Sequence, residues 1–169
     1  MPADAPSWLR RLASIAALPA VMTLLVPALL LRHQPARSWN EALPARVLSA
    51  AVLAGLGLAL AASTIRLFHV QGRGTLAPWD PTRRLVVLGP YRYVRNPMIS
   101  GVLFVILAES CLAASWALLA WAGLFWAVNA VYIPLSEEPG LRRRFGEEYR
   151  RYAAAVPRWI PRLRPWTPE

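Results

Sequence analysis

The residues able to do chemistry fall in two short stretches. In the first, Asn96 stands before Pro97. A favoured N-cap followed by the residue preferred at the first helical position predicts a helix that starts there with its leading amides unpaired. Those amides and the positive end of the helix dipole attract anions, and Arg92 and Arg95 lie close enough to add full charges. In the second stretch, Glu137 and Glu138 directly follow an apolar run, where the end of a helix disfavours negative charge. Glu138 and Pro139 also open the next helix, where acidic residues are favourable. The first stretch suits a carboxylate or phosphate and the second a cationic group.

The apolar segments between them decide whether the two can meet. Residues 12–31 and 47–65 carry no charge, and residues 96–136 carry only Glu109. A bilayer core takes about 20 residues of helix. The first two segments each match one span and the third matches two, predicting helices over 12–31, 47–65, 97–114 and 116–136 with a turn near residues 113–115. The run of 12–31 exceeds the roughly 7 to 15 residues of a signal-peptide core. Pro19 and Pro27 are expected to kink the first helix, and Ala51 and Gly55, with Gly57 nearby, to form a close helix contact. The expected fold is therefore all-α: a single integral membrane bundle of four transmembrane helices, with a loop over 66–96 and a C-terminal segment over 137–169. Antiparallel packing of the third and fourth helices, with axes about 8 to 10 Å apart, brings Asn96 beside Glu137. Such a pocket suits a zwitterionic or charge-separated ligand.

Composition agrees with a membrane protein. Hydrophobic residues make up 56% and charged ones 17%, against roughly 45 to 50% and about 25% in soluble domains. All nineteen basic residues are Arg, giving a net charge of +10. They bracket the apolar runs instead of forming a continuous basic face, which argues against nucleic acid as the partner. Sixteen lie in the N-terminal tail, the 66–96 loop and the C-terminal segment, and three on the opposite side. The positive-inside rule then places both termini in the cytoplasm, and a bacterial inner membrane is the expected location.

Within the loop, residues 85–88 are β-prone, while Trp79, Tyr91 and Tyr93 suit an ordered interface. Past Pro139, Leu141, Phe145, Tyr149, Tyr152 and Val156 recur at spacings of three and four, one apolar face of an amphipathic helix that anchors at the membrane or closes over the site. Pro157, Pro161 and Pro165 end it, and Trp159 and Trp166 are expected as interfacial anchors. Asn129, Tyr132 and Ser136 share a face of the fourth helix and line a substrate path or make interhelical hydrogen bonds. Glu109 lies a turn before the outer bend.

Common catalytic signatures are missing. The single Cys111 and the two histidines, His33 and His69, offer no metal spacing, and Gly72-Arg73-Gly74 lacks the context of a dinucleotide fold. No metal is expected. A four-helix binding or transport protein shares this hydropathy.

Two motifs separate these readings. Gly89-Pro90-Tyr91-Arg92-Tyr93-Val94-Arg95-Asn96-Pro97, followed by Gly101, and then Glu137-Glu138-x-x-Leu141-x-x-x-Phe145-Gly146-x-x-Tyr149-x-x-Tyr152 resemble the isoprenylcysteine carboxyl methyltransferase and phospholipid methyltransferase superfamily. Many relatives carry His in place of Asn96 and Tyr in place of Ile99. The resemblance implies an integral membrane methyltransferase that takes S-adenosylmethionine as donor and a lipid or lipophilic molecule as acceptor. It implies a donor site built from Gly89, Tyr91, Arg92, Arg95, Asn96, Pro97 and Gly101 together with Glu137 and Glu138. Methyl transfer to a positioned nucleophile needs neither a metal nor a catalytic triad, which fits what the sequence lacks.

Overall fold

The computed structural model describes residues 17–32, 43–71 and 85–167. Five helices account for most of them: α1 (Ala17–Leu31), α2 (Leu43–Gln71), α3 (Pro97–Ala113), α4 (Trp116–Tyr132) and α5 (Glu138–Ala155). No strand occurs among the described residues, and residues 85–88 run as irregular backbone. His33, Gly72, Arg73, Gly74 and Trp79, and the His69 side chain, lie outside what is described.

Pro27 reshapes α1 by widening one turn. Over Val21–Leu25 the backbone adopts a π-helical register in which the amide of Val26 bonds the carbonyl of Val21. Proline has no amide to continue this register, so the next carbonyl, that of Met22, is left over. The indole Nε1 of Trp121 on α4 donates to it at 3.1 Å. A proline defect in one apolar helix is thus satisfied by a side chain of another, as a low-dielectric setting requires.

α2 runs past both expected ends, because nothing before Gly72 breaks a helix and Arg66 continues one readily. Small residues Ala50, Ala54, Gly57, Ala61 and Thr64 form a stripe at spacings of four and three, with Ala50 and Thr64 buried. Gly57 is the point of closest approach: a Cβ there would lie 2.7 Å from the carbonyl oxygen of Gly101, and one on Gly101 would lie 2.9 Å from that of Gly57. The expected contact at Ala51 and Gly55 is not made. Both are exposed, and Gly55 has nothing within 4 Å. The contact stripe lies one position before each of them, on the neighbouring face of the helix.

The α3–α4 hairpin turns at Ala114 and Ser115, as the sequence predicts. Ala114 takes a left-handed conformation (φ 46°, ψ 46°), and the Ser115 hydroxyl accepts from the amide of Leu118 at 3.3 Å, capping α4. Arg46, at the start of α2, donates to the carbonyls of Cys111 and Leu112 at 3.2 and 2.6 Å. That places its charge on the negative end of α3. Because Ala114 adopts a conformation that disfavours a Cβ, Ala114→Gly is expected to raise stability by up to about 1 kcal/mol in thermal unfolding.

Val102 and Ile106 of α3 and Ala122 and Phe125 of α4 form the core of the bundle, with Met22 of α1 against them. Much of the remaining apolar surface is uncovered. Leu48 and Leu58 on α2 and Trp116 and Leu135 on or near α4 are 61 to 75% exposed. Apolar helices that are not buried by protein need lipid around them. Leu43–Leu67 and Trp116–Ala155 are long and apolar enough to cross a membrane, whereas Ala17–Leu31 and Pro97–Ala113 are apolar but shorter.

No turn separates α4 from α5. A second π-helical turn, Ile133–Glu137, carries the rod through Pro134 and Pro139, with the amide of Glu138 bonded to the carbonyl of Ile133. The expected amphipathic helix is instead divided at Gly146, whose backbone (φ 54°, ψ −124°) is accessible essentially to glycine alone. Leu141 and Phe145 precede this break; Tyr149, Tyr152 and Val156 follow it. All five still converge on one cluster with Val87 from the irregular segment.

Candidate functional site

Past α5 the chain turns back as a strap, residues 156–167, along the segment that leads into α3. The amide of Arg95 donates to the carbonyl of Pro157 at 2.9 Å, that of Arg162 to Tyr93 at 3.0 Å, and that of Trp166 to Arg92 at 2.9 Å. Side chains reinforce the seam. Arg92 donates from Nε to the carbonyl of Trp166 (2.7 Å) and from Nη2 to the Thr167 hydroxyl (3.0 Å). The Tyr152 hydroxyl donates to the carbonyl of Tyr91 at 2.8 Å. Trp166, half-buried, lies against Tyr152, ring centroids 5.7 Å apart, and covers the cluster under the strap.

Under the strap the two charged stretches meet. Arg95 Nη1 donates to Glu138 Oε1 at 2.9 Å, joining the start of α3 to the start of α5. Arg158 of the strap grips the same carboxylate with both ends of its fork, Nε to Oε1 at 2.7 Å and Nη2 to Oε2 at 3.0 Å. Arg142, one turn along α5, stands 3.7 Å from Oε2. The Glu138 side chain is 3% exposed and that of Arg95 11%. Burial alone would raise the Glu138 carboxyl. The Arg158 hydrogen bond and the charges of Arg95, Arg158 and Arg142 outweigh it and hold the group below the ordinary carboxylate range. Burial also pushes the Tyr91 and Tyr152 hydroxyls far up, so both remain protonated donors.

The other expected site residues are placed as follows. Asn96 occupies the N-cap position of α3, but its side chain makes no cap; Nδ2 donates to the carbonyl of Arg158 at 3.2 Å. Asn96 sits at φ −120°, ψ 54°, which turns its side chain toward the strap. Pro97 is buried as the first residue of the helix. Tyr91 packs on the small cluster of Val86 and Met98. Gly89 starts the short 3-10 turn Gly89–Arg92, with Leu67 of α2 nearby. Glu137 is exposed, and no ion pair to it occurs among the described residues.

Arg92 and Gly101 have structural duties, one clamping the strap and the other pressing on Gly57. On the fourth helix, Tyr132 and Ser136 line an open apolar groove of about 570 Å³ together with Ala127, Val128, Val131 and Leu135. Asn129 does not line it and returns a hydrogen bond to the carbonyl of Phe125 at 2.8 Å.

The model of the phospholipid methyltransferase family matches residues 45–148, more than half of the chain. The chain belongs to this family. No curated protein matches it. The matched residues run from the start of α2 through both charged stretches to just beyond Gly146. The methyltransferase family and the apolar helices agree on a membrane protein. The strap lies outside the matched range, yet it supplies Arg158, the strongest partner of Glu138. Sequence reading missed Arg158 because nothing in its neighbourhood sets it apart from the other C-terminal arginines. The signal available was indirect: a buried glutamate needs more charge compensation than Arg95 alone provides.

Proposed function

We propose that this protein is an S-adenosylmethionine-dependent methyltransferase acting on a lipid or lipophilic acceptor at the cytoplasmic face of a membrane. In this reading four helices span the bilayer and both termini are cytoplasmic, with the arginine-rich ends of the chain on the positive side. The observation that carries the proposal is the 2.9 Å bond between Arg95 and Glu138, which unites the helix start and the paired carboxylates in one place.

The residues fit a zwitterionic donor. The leading amides of α3, left uncapped by Asn96, and the adjacent Arg95 suit its carboxylate. Glu137, exposed and next in sequence to Glu138, suits its ammonium group or ribose hydroxyls. Glu138 is engaged by arginines and acts as a positioning residue that fixes Arg95 and Arg158. Tyr91, Pro97 and Gly89 shape the wall around the helix start. The donor, when bound, supplies a sulfonium methyl open to in-line attack. The protein's part is to hold the two reactants in line and exclude water, for which the strap and the buried Tyr149, Tyr152 and Val156 serve. The groove holding Tyr132 and Ser136 gives an apolar acceptor a lateral approach from the bilayer.

The test is incubation of purified protein in lipid with methyl-labelled S-adenosylmethionine, followed by identification of the labelled product. Label in an extracted lipophilic molecule is expected, as is thermal stabilisation by the donor or its demethylated product. Glu137→Gln is expected to weaken donor binding by about 10- to 100-fold through loss of a charged hydrogen bond. Absence of both label and stabilisation would end the enzyme reading. Undiminished donor binding in the variant would move the donor away from Glu137.

A further inference from the structure

Beside the Arg95–Glu138 pair lies a cavity of about 350 Å³ lined by Arg95, Arg142, Arg150, Arg158, Ala153 and Ala154. Four guanidinium groups around one small space repel each other unless matched by negative charge. The protein supplies little of it. Glu138, almost fully buried, is shared by three of the four. Among the described residues Arg150 pairs with Glu147 alone, at 3.4 Å, with both side chains more than half exposed, and Glu147 also stands 4.0 Å from Arg151. Two positive charges remain in excess.

The arginines are also graded in depth. Arg142 and Arg150 stand 55% and 69% exposed at the rim, while Arg158 and Arg95 lie deeper, at 33% and 11%. At the deep end the Nε of Arg95 is buried and has no hydrogen-bond partner among the described residues. A buried charged donor without an acceptor is costly, and it adds to the unmatched positive charge at this end of the cavity. Ala153 and Ala154 complete the lining.

We propose that this cavity binds a phosphate group, carried either by an anionic lipid headgroup or by a soluble phosphate. A phosphate brings up to two negative charges, which equals the excess, and several acceptor oxygens that match guanidinium forks. A carboxylate offers one charge and leaves the rim arginines unmatched. The site adjoins the proposed donor site through Arg95 but extends away from it: Arg142 and Arg150 have no part in donor binding, and phosphate binding is measurable without the donor.

The experiment uses the full chain in neutral detergent at fixed ionic strength. Calorimetric titrations with inorganic phosphate, short-chain phosphatidic acid and short-chain phosphatidylcholine are compared for the parent and the Arg142→Gln/Arg150→Gln double variant. Both substituted side chains are solvent-exposed, so the variant is expected to keep the parent's melting temperature in the absence of probe. The expected result is saturable binding of at least one anionic phosphate, none of phosphatidylcholine, and at least about a tenfold rise in Kd in the variant, since each lost charged contact counts for roughly that much. Phosphatidic acid binding well ahead of inorganic phosphate identifies a lipid headgroup as the source; comparable affinity identifies a soluble one. Broadening of the phosphorus NMR line of inorganic phosphate by the parent gives a check independent of any variant. The proposal is overturned by absence of anion binding above a chloride control, by unchanged affinity in the double variant, or by simple competition with S-adenosylmethionine, which would make the cavity part of the donor site.

Discussion

Replacing Glu138 with Gln is expected to lower stability by about 3 to 5 kcal/mol and to abolish the closed arrangement of the strap. The isosteric amide keeps the volume but loses the charge that three guanidinium groups share. Arg158, partly exposed, can swing into water, and in doing so it pulls the strap with it. Arg95, with a side chain 11% exposed, has no such escape, and it is left as an uncompensated buried cation.

The same lattice sets an acid limit. The Glu138 carboxyl lies below its ordinary range when folded. Its contribution is therefore fully present above the unfolded carboxylate pKa and is lost as pH falls through the lowered folded value. Melting temperature in neutral detergent is expected to drop for the parent across that acid window. Glu138→Gln is expected to melt lower at neutral pH and to lack this part of the acid dependence. Equal melting temperatures at neutral pH, or identical acid limbs, would show that the three arginines do not depend on this carboxylate.

What could be read from the sequence, and what could not, follows from the range of the interactions involved. The turn at Ala114 and Ser115 was legible because an apolar run twice the length of one span folds back near its middle, and the N-terminal end of α3 was legible because Pro97 fixes it. The approach of the α3 start to the paired carboxylates followed from hairpin topology: it was expected as Asn96 beside Glu137 and is made as Arg95 bonded to Glu138. The strap did not follow: its hydrogen bonds join Arg92, Tyr93 and Arg95 to residues more than sixty positions later, and neither stretch has a periodic pattern. The continuation of α4 into α5 was hidden because Glu138 and Pro139 read as the opening of a separate helix, while a π-helical turn carries the chain through without a break. Gly57 and Gly55 differ only in which face of α2 they occupy, and that depends on where α3 crosses.

A chain ended after Ala155 is expected to lose the organised site while keeping the helical hairpin. Val156 is 1% exposed in the cluster with Tyr149 and Tyr152, and Trp166 covers Tyr152. Removing these apolar groups costs about 3 to 5 kcal/mol of burial. Losing Arg158 adds roughly 2 kcal/mol or more, because Glu138 stays buried with Arg95 as its one close partner. The hairpin core of Val102, Ile106, Ala122 and Phe125 touches none of these residues, so the damage is local. The sharpest readout is hydrogen exchange at the amide of Arg95, whose acceptor is the carbonyl of Pro157. Its protection is expected to fall by at least about 100-fold in the shortened chain, with Trp166→Ala intermediate, while amides in the middle of α3 stay protected. Unchanged protection at Arg95 would mean that the start of α3 is ordered without the strap. The closing of this site would then have to be attributed to the membrane helices alone.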